Sequence, residues 1–257
     1  MVCLLGVKSP MLRSMKLRKK QRRTILAAVI ALIVAIAGAW SAVHAPEPAP
    51  ADVAREQSSV LGSQDAPTGD ASAALDALPV RGRAPKTDYA REQFGAGWAR
   101  VDSCDMRQYI LERDLTDVQL DTDGCTVLSG RLADPYTGSF IDFLRGTSTS
   151  SAVQIDHVVA LSDAWQKGAQ QLDEGERAEL ANDPLNLLAV DGKTNQQKSD
   201  GDAATWLPPN KVYRCQYVAR QIAVKQKYRL WVTQAEHDAM ASVLSSCPAQ
   251  KLPVETL

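Results

Sequence analysis

Apolar and polar positions alternate along residues 125–146, CTVLSGRLADPYTGSFIDFLRG, and the alternation breaks at DPYTG. Proline and glycine at such a break signal a turn, so the pattern predicts a β-hairpin. Residues 152–161, AVQIDHVVAL, predict a further strand, and 184–190, PLNLLAV, a short one ended by a DGK turn. Apolar residues three and four apart predict helices elsewhere. Residues 105–115 place Met106, Tyr109, Ile110 and the Arg113 stem on one face. Residues 162–183 read mostly as helix, with Ser162 or Asp163 as N-cap. Residues 194–206 open with helix-compatible side chains. In 210–230, Val212, Cys215, Tyr217 or Val218, Ile222 and the Lys225 stem follow the helical period. Thr233 with Glu236 three residues on is a capping-box pattern for a last helix ending at Pro248. The order of elements predicts an α+β domain.

The N-terminal pattern differs. KLRKKQRR (16–23) is followed by TILAAVIALIVAIAGAWSAV (24–43), which carries no charge. A basic flank before an apolar run is a targeting segment, and a spanning helix needs roughly 20 such residues. A cleaved signal peptide and an uncleaved membrane anchor both fit. Either places the residues after 45 outside the cytoplasm, because the basic flank stays inside. Residues 46–84 are rich in Ala, Pro, Ser and Asp and lack aromatics, a composition for a disordered, flexible linker, with DALPV as a piece able to dock. The expected organisation is therefore a signal or anchor (1–45), a linker (46–84), a folded domain (85–250) and a short tail (251–257).

With 45% apolar residues and a net charge of −1, the chain has material for a core and no global attraction for a polyanion. Its charge is uneven, however. Lys193, Lys198, Lys211, Arg214, Arg220, Lys225, Lys227 and Arg229 face only Asp200 and Asp202 in that stretch, a local basic face compatible with a phosphate backbone. Beyond Cys3 the cysteines are Cys104, Cys125, Cys215 and Cys247, an even number that suits an oxidising compartment. Of three possible connectivities, the sequence-local Cys104–Cys125 and Cys215–Cys247 is expected. A zinc site is the competing reading, and no C-x-x-C or C-x-x-H pair supports it.

Candidate chemistry gathers in QIDHVVALSDAW (154–165) and NDPLNLLAVDGKTNQQKSD (182–200). A strand carrying Asp156 and His157, a strand opening with Asn186 and a helix carrying Asn195 and Lys198 would meet at one end of a hairpin. A carboxylate and an amide oxygen are hard ligands that suit Mg²⁺ or Mn²⁺. A neutral imidazole beside them can take a proton from water near pH 7.

These segments, with LADPYTG, DGDAATWLPPN and YRCQYVARQIAVK, resemble the exported HNH, or ββα-metal, endonuclease family proteins related to the C-terminal nuclease domain of GmrSD-type restriction enzymes. The resemblance spans about residues 87–248. It implies a ββα-metal core with added helices and an N-terminal hairpin, and a divalent-metal-dependent endonuclease acting on nucleic acid, DNA above all. His157 would be the general base and Asp156 a metal ligand. Asn195, where many relatives have histidine, would be the second ligand. Asn186 would hold backbone groups around the site, and Lys198 would lie near the phosphate. Products with 5′-phosphate ends are implied. Arg131 and Arg145, flanking the DPYTG hairpin, are candidate phosphate contacts.

Simpler readings stand beside these. An isolated Asp-His pair is commonly a surface turn or a satisfied structural histidine. His237 reads as a solvated face residue, the acid-rich 114–124 as a solvated loop, and Trp165 and Trp206 as packing. WLPPN reads as a rigid connector. The alternative function is a catalytically silent cell-surface module that binds nucleic acid or protein on the same scaffold. No obligate protein partner is expected, and the membrane is touched only through an uncleaved N-terminus.

Overall fold

The structure is a computed structural model and describes residues 69–253. The expected targeting segment and most of the expected linker lie outside the described residues. Among the described residues no helix is long and apolar enough to cross a membrane.

The first element is α1 (Ala71–Ala77), capped by the Asp70 side chain, which accepts from Ser72 N and Ala73 N at 3.0 and 3.2 Å. This differs from a linker extending to residue 84. Ala71, Leu75 and Leu78 fall on one face, and all three are buried in the core beside the last two helices of the domain. Their apolar spacing outweighs a composition that reads as linker. A 3₁₀ turn follows at Arg91–Phe94, then a small hairpin of β1 (Arg100–Val101) and β2 (Cys104–Asp105). Asp105 caps α2 (Met106–Asp114).

The next three strands form an antiparallel sheet in the order β3 (Leu115–Leu120), β4 (Val127–Ala133), β5 (Phe140–Leu144). The β4–β5 hairpin turns at the DPYTG segment. β3 replaces the solvated loop expected over 114–124. Leu115 is buried and Val118 half-buried, and Asp117 at φ +54° absorbs a register shift between Thr116 and Gln119. Only the end of the segment turns, closed by Asp123, which accepts from Cys125 N and Thr126 N, both at 2.8 Å.

β6 (Val153–His157) leads into α3 (Leu161–Gln166), a 3₁₀ turn at Ala169–Gln171 and α4 (Glu174–Asn182). The single helix expected over 162–183 is therefore broken. Gly168, at φ +125°, lies against Trp231, whose ring a Cβ there would meet at 3.2 Å. α4 restarts on a complete capping box between Asp173 and Glu176. Neither Ser162 nor Asp163 caps α3; Ala160 stands at that position without a side-chain bond.

β7 (Leu187–Asp191) pairs antiparallel with β6, His157 opposite Leu187 and Val153 opposite Asp191. α5 (Gly192–Lys198) follows directly, capped by Asp191. The chain ends with α6 (Arg214–Lys227), preceded by a 3₁₀ turn at Lys211–Tyr213, and α7 (Gln234–Leu244). Thr233 caps α7 by accepting from Glu236 N at 3.2 Å, but the Glu236 side chain does not return to the cap. It is buried beside Lys167 and Lys225. The disulfides Cys104–Cys125 and Cys215–Cys247 form with the sequence-local pairing.

The β6–β7 ribbon lies between two hydrophobic clusters. Val153, Ile155, Leu187 and Ala189 pack with α2 and the three-stranded sheet. Leu188 and Val190 pack with the helical core of α1, α3 and α6. Both ribbon faces are covered, which is why 152–161 reads as apolar on both sides.

Candidate active site

Side chains alternate across a strand, so neighbours on β6 project from opposite faces. Gln154 and Asp156 turn toward α5; Val153, Ile155 and His157 turn the other way. α5 sits tightly on its face of the ribbon. A Cβ at Gly192 would collide with the Ser151 carbonyl oxygen, so a glycine opens the helix. One turn on, the Asn195 amide donates to Gln154 Oε1 at 3.0 Å.

His157 is buried at the end of β6, its ring stacked on Trp98 with centroids 5.8 Å apart and planes 9° apart. Its Nε2 lies 2.9 Å from the Ala181 carbonyl oxygen at the end of α4. A carbonyl oxygen only accepts, so Nε2 carries the hydrogen. Burial holds the imidazole down to about 4, with the Arg91 and Lys198 charges adding to it and the Ala181 bond opposing. At neutral pH the ring is uncharged, and its lone pair resides on Nδ1.

Asp156 is nearly enclosed. Its Oδ1 accepts from Lys198 Nζ at 2.9 Å, and its Oδ2 from the Tyr136 hydroxyl at 2.5 Å. Burial pushes this carboxyl up, against the pull of Lys198 and Tyr136. Lys198 also donates to the His157 carbonyl at 2.8 Å. Its ammonium thus lies beneath the ribbon, bound to Asp156, and is fully buried rather than presented to solvent. Asn186 is fully buried as well. Its Oδ1 accepts from Val159 N at 2.8 Å, and its Nδ2 donates to the Val159 and Leu180 carbonyls. It therefore pins the chain leaving β6 to the end of α4, the same two segments that hold His157.

Asp156, His157 and Asn195 line one cleft of about 290 Å³, together with Tyr89, Arg91 and Asp200. Asp200 is held there by Ser162 Oγ at 3.1 Å and Lys86 Nζ at 3.2 Å. A second cleft of about 250 Å³ meets the first at His157, walled by Arg91, Gly97 and Trp98. The hairpin arginines do not line either cleft. Arg131 lies over the Phe140 ring and 3.8 Å from Asp142, and Arg145 donates to the Val127 carbonyl and Gln108.

Several members of this site carry no motif signal. Tyr136 was legible only as a bulky aromatic inside a Pro-Gly turn; that turn folds inward until the ring is fully buried among Trp206, Tyr213 and Tyr217. Tyr89, Arg91 and Trp98 come from the segment before β1, which announces itself only by the first aromatics of the domain.

Residues 105–243 match the family model described as GmrSD restriction endonucleases, C-terminal domain. The chain belongs to this family. A protein of Arthroderma benhamiae named "Uncharacterized secreted protein" is 38% identical over 180 residues, a match covering 69% of this chain and 84% of that protein. The family region of the GmrSD C-terminal domain takes in Tyr136, Asp156, His157, Asn186, Asn195 and Lys198, whereas Tyr89, Arg91 and Trp98 stand upstream of it.

The donors present fit a hard divalent ion in chemical kind. A carboxylate offers about four acceptor positions, of which Lys198 and Tyr136 use two on Asp156. With its Nδ2 given to Gln154, Asn195 keeps its carbonyl oxygen, to which no described residue donates. Among the described residues no group of three or more His, Cys, Asp or Glu side chains is placed to hold a metal.

Proposed function

We propose that this chain is an HNH-type, divalent-metal-dependent endonuclease that hydrolyses phosphodiester bonds of nucleic acid, DNA first, outside the cytoplasm. One observation carries the reading: the His157 ring is tied through Nε2–H to the Ala181 carbonyl, which leaves a neutral Nδ1 lone pair on a residue that lines one cleft with Asp156 and Asn195. The order β6, β7, α5, with Asp156 and His157 on the first strand and Asn195 on the helix, is the order a ββα-metal core requires. Export is supported by the basic and apolar N-terminal pattern, by two disulfides and by the relative's name as a secreted protein.

In this reading His157 Nδ1 accepts a proton from water as the water attacks phosphorus. The Ala181 carbonyl fixes the ring's tautomer and aim, and Trp98 fixes its plane. Asn186 holds the two segments that set the ring's position. Lys198 pulls the Asp156 carboxyl down against its burial and orients it, and so acts on the substrate through Asp156. Asp156 and Asn195 would hold Mg²⁺ or Mn²⁺, which when bound supplies Lewis-acid stabilisation of charge on the phosphate and the leaving 3′ oxygen.

A second reading, a silent nucleic-acid-binding module, is favoured by one feature: both Asp156 oxygens already have protein partners. A plasmid-relaxation assay separates the two. We expect supercoiled DNA to be nicked with Mg²⁺ or Mn²⁺ and to stay intact with EDTA. Binding without cleavage across Mg²⁺, Mn²⁺ and Ca²⁺ would establish the silent module instead.

A further inference from the structure

We infer that Arg91, supplied by the segment upstream of the family domain, is a substrate-phosphate-binding residue on the wall of the His157 cleft. The inference rests on the nuclease reading above. Arg91 lines both clefts that meet at His157, so its side chain borders any strand laid across the imidazole. It is exposed and makes no hydrogen bond or ion pair with any described residue. Other arginines of the domain are committed: Arg177 to the Gln93 carbonyl, Arg113 to the Pro184 and Leu187 carbonyls, and Arg83 to Asp163 and Asp202.

The backbone that presents Arg91 is anchored on both sides. Phe94, three residues on, is buried in the main core with its ring edge-on to Trp165. On the other side, Tyr89 also packs edge-on to Trp165, and the Trp165 indole donates to the Thr87 carbonyl at 3.1 Å. Arg177 bonds the Gln93 carbonyl from α4 at 2.8 Å. A guanidinium with a fixed base and unused donors, beside a cleft whose carboxylates Asp156 and Asp200 already hold ammonium partners, is arranged to take an anion from outside. Its planar fork of five donors matches two oxygens of one phosphate. A phosphodiester is the anion the neighbouring imidazole would act on.

The test uses the full chain, wild type and Arg91→Ala, Arg91→Lys and Arg91→Glu, on a fluorescent duplex oligonucleotide. Cleavage is followed with Mg²⁺, and binding by anisotropy across a salt series with EDTA. We expect Arg91→Ala to raise KM or Kd about 10- to 100-fold, the range for one charged hydrogen-bonded contact, with kcat changed far less. Arg91→Lys should recover part of the loss and Arg91→Glu deepen it. The slope of log affinity against log salt should flatten by about 0.9 in Arg91→Ala, one phosphate contact on duplex DNA. Unchanged KM, Kd and slope in a cleaving protein overturn the role of Arg91 and leave the nuclease reading intact. A wild type that binds without cleaving overturns the nuclease reading, while the slope still decides Arg91. A wild type that neither binds nor cleaves overturns both.

Discussion

His157→Ala should lower single-turnover cleavage by about 10² to 10⁴, the range for removing a general base, and leave substrate affinity nearly unchanged. The ring is the only imidazole among the residues lining the two clefts, and its Nε2 is occupied by the Ala181 carbonyl. What the substitution removes is therefore the Nδ1 lone pair that would receive the proton of water. It also removes the stacked neighbour of Trp98, so some stability is lost. Cleavage and the thermal unfolding midpoint should be measured on the same samples. Loss of rate in a still-folded variant supports the role; an unchanged rate constant excludes His157 as the base.

Lys167→Met should destabilise the protein by about 3–5 kcal/mol, read from the denaturant midpoint. The Lys167 ammonium is fully buried, 2.8 Å from Asp163, 2.7 Å from Asp202 and 2.6 Å from Glu236. Lys225 and Arg83 complete a closed set of three cations and three carboxylates that joins α3, α6, α7, the turn after α5 and the chain leading into the cleft wall. Removing one cation leaves buried carboxylates with too little positive charge. Burial by itself would raise the Asp202 carboxyl, but the Lys167 bond and charge overcome it and hold the group at about 2. A depressed carboxyl contributes stability that is fully present above its unfolded value near 3.9 and is lost as pH falls through the folded value. The gap between wild type and Lys167→Met should therefore be widest above about pH 4 and narrow toward pH 2. A gap that stays constant over that window contradicts the assignment.

What the sequence disclosed, and what it hid, divides by the range of the interaction. Local signals were readable: the Pro-Gly turn between β4 and β5, the presence of the helices α2 and α6, and the sequence-local cysteine pairs. Asp156, His157 and Asn195, singled out on separate elements, are brought by the fold to one cleft. Composition misled at α1, where Ala71, Leu75 and Leu78 make a packed face inside an alanine-rich stretch. Spacing misled at Glu236, which stands where a capping box would use it but lies 69 positions from the lysine that takes its charge. Such a partner leaves no trace in a local window. The same holds for Tyr136 and Lys198, which meet at Asp156 from 20 and 42 positions away. Arg91 shows only as a surface arginine until the fold brings it to His157.

The most direct test of the account is the protonation of the His157 ring itself. Nitrogen-15 NMR on the full chain near neutral pH should show one tautomer, with the hydrogen on Nε2, a bare Nδ1 and no titration of the ring between about pH 5 and 8, consistent with a folded value of about 4. A hydrogen on Nδ1, or a ring that stays charged at neutral pH, would contradict the account, because Nδ1 could then accept no proton from water.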